Sequence, residues 1–145
     1  MLFNKCIHPQ ILSALGKMGH GSKILISDGG YPHITASPAS AEKVYLNLTQ
    51  GKLLVTEILE TLKETVPIEK AAVMTPPDGT SQPVHELYRQ IIPNIPVEQI
   101  KQFEFYEIAK DNNIALVIAT GDMRNYANLL LTVGFIKHHE GKGNY

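Results

Sequence analysis

Apolar positions along the chain alternate between two patterns, helical spacing and short unbroken runs. After Pro9, which suits the first turn of a helix, Ile11, Leu12, Leu15 and Met18 recur on one face. Gly19 ends that helix, because glycine takes a left-handed cap at little cost. Lys23-Ile24-Leu25-Ile26-Ser27 then reads as a buried strand. It runs into the loop Asp28-Gly29-Gly30-Tyr31-Pro32. Lys43 to Asn47 gives a weaker strand, and Leu54, Ile58 and Leu62 mark a helix from about Leu53 to Glu64, closed by Pro67. Lys70 to Met74 reads as a strand, Thr75 to Ser81 as a loop, and Pro83 opens a helix through Val84, Leu87 and Ile91.

Past Pro93 and Pro96, Phe103 to Lys110 reads as a helix, although its Phe-Glu-Phe alternation also permits a strand. Ile114 to Ala119 is the strongest strand signal in the chain, followed by the turn Thr120-Gly121-Asp122. Tyr126 to Val133 is expected to be a helix capped by Gly134, and Phe135 to Lys137 a final strand. The polar tail from His138 to Tyr145 is expected to be loose. This alternation predicts an α/β fold: a single three-layer domain over residues 1–145, with a central mixed sheet flanked by helices.

Composition narrows the function classes. The chain has 145 residues, 43% hydrophobic and 19% charged, which suits an ordinary globular core. A formal net charge of −1, with Lys and Arg scattered, points to neither nucleic acid nor an anionic membrane as partner. No apolar run approaches the ~18 residues of a membrane span. The single cysteine, Cys6, allows no disulfide within the chain and suits a small core residue in a reducing cytoplasm. The amino terminus carries no secretory leader pattern. Glycine-rich dinucleotide and phosphate-binding fingerprints and the G-x-S-x-G elbow are all missing.

Candidate chemistry lies in two loops that follow strong strands, where open α/β sheets bind their ligands. His20 sits just past the first helix, whose carboxyl end favours an imidazolium. Asp28 begins the loop after the first strong strand. A protonatable His and an ionised Asp at one rim could protonate one oxygen of a ligand and bind another. The plainer reading is a helix-end His and a turn-forming Asp. Thr120 to Asn128 offers a hydroxyl, a phenol, amides and a guanidinium within nine residues, a set suited to polyhydroxyl ligands. It also suits a polar turn with Asn125 capping a helix. His8 flanks the first helix start, His85 is expected to be solvated, and the pair His138-His139 is a weak metal candidate.

Met18-Gly19-His20-Gly21, Ser27-Asp28 and Tyr31-Pro32 together resemble the start of the ribose pyranase/fucose mutarotase family. Phe103-Glu104-Phe105-Tyr106-Glu107 and Thr120-Gly121 through Tyr126-Ala127-Asn128 resemble its carboxyl half. Each motif is short, but their joint order holds from about His8 to Phe135. The fucose branch is the closer match, through Tyr31-Pro32, the aromatic run and the spacing around Tyr88. Gln102 stands where the family carries a basic residue, and Ala127 where the fucose branch usually has Gly.

The resemblance implies a cofactor-independent isomerase that interconverts the anomers of a free sugar, L-fucose before D-ribose, and that assembles into rings, often decamers, with sites near subunit contacts. It implies His20 as proton donor and Asp28, Gln102, Tyr126, Ala127 and Asn128 as sugar-binding residues, with no metal. A water or Tyr126 is then expected to act as base. A sugar-binding module without turnover is the rival of another class.

Overall fold

The structure, a computed structural model, describes residues 1–137. Helix α1 (Pro9–Lys17) precedes strand β1 (Lys23–Ser27) and strand β2 (Glu42–Tyr45). Helix α2 (Val55–Leu62), strand β3 (Ile68–Thr75), helix α3 (Pro83–Ile91), strand β4 (Val97–Lys101) and helix α4 (Gln102–Ala109) follow. Strands β5 (Ile114–Ala119) and β6 (Leu129–Val133) complete one six-stranded sheet in the order β2-β5-β1-β6-β3-β4. The fold is α/β with a mixed sheet. β1, β5 and β2 pair in parallel, as do β3 and β4, and β6 runs antiparallel between β1 and β3.

Alternation along each strand feeds two cores. Ile24, Ile26, Val73, Leu116, Ile118, Leu129 and Leu131 face α1, α2 and α3, where Leu15, Leu59 and Tyr88 meet them. Leu25, Met74, Val117 and Leu130 face the other way, onto Phe105 and Ala109 of α4 and onto Tyr31 and Ala36 of the long β1–β2 connection. Each layer thus buries one stripe or face, as a layered domain must. At the N-terminus of α1, the imidazole Nδ1 of His8 accepts the Ile11 N–H at 3.3 Å, so His8 is the helix cap. Cys6 is buried in the α1 side of the core.

Two expected elements are corrected. Residues 126–133 do not form a helix: Leu129–Val133 is a strand and every one of its residues is buried. With β1 and β3 on either side, β6 is covered on both faces, and such a strand loses the period of two that would separate it from a helix. Residues 135–137 form no strand. Strand β4 carries only Ile100 as a buried residue, since it lies at the sheet edge, and its polar sequence gave no apolar signal. The His138-His139 pair lies outside the described residues.

Candidate functional site

Because five strands run one way and β6 the other, the carboxyl ends of the five share a rim with the amino end of β6. Asp28 follows β1, Met74 is the last residue but one of β3, Gln102 follows β4, Asp122 follows β5, and Asn128 precedes β6. All of them line one cavity of about 350 Å³ together with Tyr31, Tyr106 and Tyr126. That is the lower end of the range for small-molecule sites, roughly 300–1,000 Å³.

Asp28 and Asn128 form its floor. The Asp28 backbone N–H donates to Asn128 Oδ1 at 2.8 Å, and Asn128 Nδ2 donates to Asp28 Oδ2 at 3.1 Å. The Gly30 N–H donates to Asp28 Oδ1 at 3.0 Å. Each carboxylate oxygen therefore has one protein donor and keeps further acceptor capacity toward the cavity. A second chain crosses the wall: the Tyr126 hydroxyl donates to Gln102 Oε1 at 3.4 Å, and Gln102 Nε2 donates to the Tyr106 hydroxyl at 3.3 Å. Tyr31 packs against Tyr106 with ring centroids 5.6 Å apart and planes tilted by 50°, and its own hydroxyl donates to the Ala36 carbonyl at 2.7 Å.

Beneath this wall, Asp122 is completely buried and heavily bonded. Arg124 grips it through Nη2 on Oδ2 at 2.6 Å and Nε on Oδ1 at 3.0 Å, a two-pronged charged contact. The Val55 N–H, at the start of α2, donates to Oδ2 at 3.0 Å. Burial pushes the Asp122 carboxyl up, but the Arg124 and Val55 hydrogen bonds outweigh it and hold the group below its ordinary value. Asp28 goes the other way. Burial, with the Asp122 charge adding to it, raises Asp28 against the hydrogen bonds from Gly30 and Asn128. The preceding glycine is forced: a Cβ on Gly121 would run into the Lys52 and Thr49 carbonyls. Asn125, expected to cap a helix, lies in the exposed turn of this loop instead.

The cavity thus gathers Asp28, Gln102, Tyr126 and Asn128, but neither of two other expected residues. Ala127 packs into the α3-side core and does not line the cavity. His20 stands at the opposite rim, before the amino end of β1, where Gly21 N–H bonds the Val133 carbonyl. Lys23 to Ser27 alone spans roughly 13 Å of extended chain, so an imidazole at position 20 does not converge on Asp28 within one chain. The helix–strand unit carries the two groups to opposite ends of the sheet, and this corrects the expected pairing. At its own rim His20 is half-exposed, its Nε2 lies 2.8 Å from Glu69 Oε2, and its ring sits 5.0 Å from that of Phe135.

Sequence reasoning gave no site role to Tyr31, Met74 or Tyr106, although Tyr31 and Tyr106 lie in segments that carry the family resemblance, and it placed His85 in solvent. His85 is fully buried, with Nε2 3.0 Å from the Tyr126 carbonyl. Its place on a stripe with Val84 and Tyr88 was the available signal. Among the described residues no group of three or more His, Cys, Asp or Glu could hold a metal ion. None of the described helices is long and apolar enough to cross a membrane.

Fold and site define an α/β domain whose sheet rim holds a small, polar, hydroxyl- and amide-lined pocket. The chain belongs to the RbsD / FucU transport protein family, whose model matches residues 1–136. It is 31% identical over 144 residues to the fucose mutarotase of Mus musculus, with 90% of each chain covered. It is 26% identical over 127 residues to the D-ribose pyranase of Chloroflexus aggregans, covering 87% of this chain and 92% of that one. The structure of Bacillus subtilis RbsD complexed with D-ribose shares the fold, with a TM-score of 0.82 at 23% identity over 94% of this chain and all of the other.

Proposed function

We propose that this protein is a sugar mutarotase that opens and recloses the hemiacetal ring of a free monosaccharide, L-fucose in the first place. The observation that carries this reading is the floor of the cavity, a carboxylate clamped to an amide with unfilled acceptor positions on both oxygens. That arrangement accepts hydroxyl protons from a sugar, while the Tyr126–Gln102–Tyr106 chain offers groups that both donate and accept. Relatives named fucose mutarotase and D-ribose pyranase support a sugar as ligand. Fucose is placed first on the Tyr31-Pro32 and Phe103-to-Tyr106 segments, both of which contribute to the cavity wall.

Ring opening needs a proton on the ring oxygen and the loss of one from the anomeric hydroxyl. The free aldehyde rotates and recloses on its other face. No oxidation state changes and no group is transferred, so acid–base groups suffice, and positioned ones contribute roughly 10²–10⁴-fold. Asp28 and Asn128 bind sugar hydroxyls, Tyr126 and Gln102 orient the ring, and Ala127 spaces the two binding residues. His20 donates the proton. Since it stands at the far rim of its own sheet, the donor for each cavity comes from a second copy of the chain, and the active form is an oligomer. Exposed Met123 beside the cavity and exposed Phe103 next to Gln102 provide apolar surface for that copy.

Saturation-transfer NMR on L-fucose and D-ribose, with a buffer control, tests the reading. The expected result is faster anomer exchange of fucose, and pyranose–furanose exchange of ribose separates the ribose alternative. Saturable sugar binding with unchanged exchange would leave a binding module. Mixing inactive His20→Ala with inactive Asp28→Ala chains should restore part of the activity, because some cavities then pair a sound floor with a sound donor.

A further inference from the structure

Tyr126 is the one non-glycine residue with a positive φ among the described residues, at 56°. A tyrosine enters that left-handed region only when its surroundings over-determine it. Here α3 does so from below, bonding two successive carbonyls: His85 Nε2 meets the Tyr126 carbonyl at 3.0 Å, and the Tyr88 hydroxyl donates to the Ala127 carbonyl at 2.6 Å. The loop that aims the Tyr126 phenol and the Asn128 amide at the cavity therefore rests on two side chains one helical turn apart.

The partners of His85 fix its proton. A carbonyl only accepts, so Nε2 carries hydrogen. At the other ring nitrogen the Gln82 backbone N–H donates to Nδ1 at 3.3 Å, so Nδ1 carries none. Only the neutral Nε2–H imidazole satisfies both the start of α3 and the Tyr126 carbonyl. Neither Nδ1–H nor imidazolium can accept from Gln82. The surroundings agree with a neutral ring. Burial lowers the imidazole, and the Arg89 charge on the same helix lowers it further, against the Tyr126 and Met74 carbonyls that face it. Tyr88, with ring centroids 6.4 Å away, also lies on that helix, and its phenol is pushed up by burial and stays neutral.

We propose that His85 is a positioning residue for the sugar site: as the Nε2–H tautomer it holds the Tyr126 carbonyl and thereby the left-handed turn that presents Tyr126 and Asn128 to the ligand. This rests on the sugar reading for its ligand, though not for its geometry.

Two substitutions divide the roles of the ring nitrogens. In His85→Gln the side-chain amide N–H lies where Nε2–H was and can still bond the Tyr126 carbonyl. In His85→Asn the amide oxygen lies where Nδ1 was and serves only the Gln82 N–H. With the sugar whose exchange the wild type accelerates, H85N should raise KM about tenfold, the loss of one hydrogen bond of ordinary worth. H85Q should stay within about threefold. Equal KM for H85N and wild type would overturn the proposal.

Long-range ¹⁵N–¹H spectra of the wild-type protein supply an arm that needs no variant to fold. They should show His85 as the neutral Nε2–H tautomer at neutral pH, and an Nδ1–H or doubly protonated ring would refute it. The intraresidue Tyr126 amide–Hα NOE, strong at the short separation a positive φ imposes, should be present in wild type and H85Q and weakened in H85N. Absence of any sugar exchange in the wild type would sink the functional reading while leaving these spectra to decide the role of His85.

Discussion

The two rims of the sheet carry similar residue types to opposite ends. At the carboxyl rim, Asp122 and Arg124 form an ion pair whose acid is wholly buried and shared with a backbone N–H of α2. At the other rim, His20 and Glu69 form a pair of similar length, 2.8 Å, with both side chains more than a third exposed. The first ties α2 to the loop that builds the cavity, so breaking it strands a buried group. The second leaves both partners in water, free to meet another molecule. Burial, and not distance, separates a structural pair from an available one.

Substitutions at the two rims should therefore differ most in stability. Asp122→Ala should lower the unfolding free energy by about 3 kcal/mol, read by urea denaturation, since it orphans the Val55 N–H and leaves Arg124 without its buried partner. Gly121→Ala, one residue earlier, should cost roughly 2–3 kcal/mol, because backbone carbonyls occupy the space the methyl needs. Asn128→Ala should cost about 1–2 kcal/mol through the unpaired Asp28 N–H, and it should weaken sugar binding in the exchange assay. At the far rim, Glu69→Gln should change stability by less than about 0.5 kcal/mol. A Glu69→Gln loss as large as that of Asp122→Ala would erase the contrast.

A pH series sharpens the comparison within the carboxyl rim. The Asp122 carboxyl is held low in the folded chain, so its stabilisation is present above the ordinary carboxylate value and is lost as pH falls through its folded value. The Asp28 carboxyl is held high, so the folded chain binds more protons there than the unfolded one, and its contribution declines as pH rises past the ordinary value. Unfolding of Asp28→Asn beside wild type should thus shift in favour of the variant as pH rises from about 4 to about 7. The opposite slope would mean that its hydrogen bonds, and not burial, dominate at Asp28.

Much of this site was legible before the fold. Asp28 and the Thr120-to-Asn128 segment each follow a strong strand signal, and the rim rule for open sheets brings such loops together. Gln102 came from the family resemblance alone, because the strand ahead of it, at the sheet edge, has almost no apolar signature. His85 was misplaced because a His beside Glu86 looks like a solvated helix face. Its burial depends on Tyr126 lying 41 residues away in sequence.

The sequence by itself determined the α/β class, most element positions and the residue types of the cavity, because hydrophobic period and turn chemistry act over a few residues. Tertiary structure decided the rest. It made Leu129–Val133 a central strand by covering both of its faces. It sent His20 and Asp28 to opposite rims, although only seven residues separate them, because an extended strand carries the chain away from its start. Local pattern fixes what a segment becomes; only pairing across the sheet fixes which ends of those segments meet.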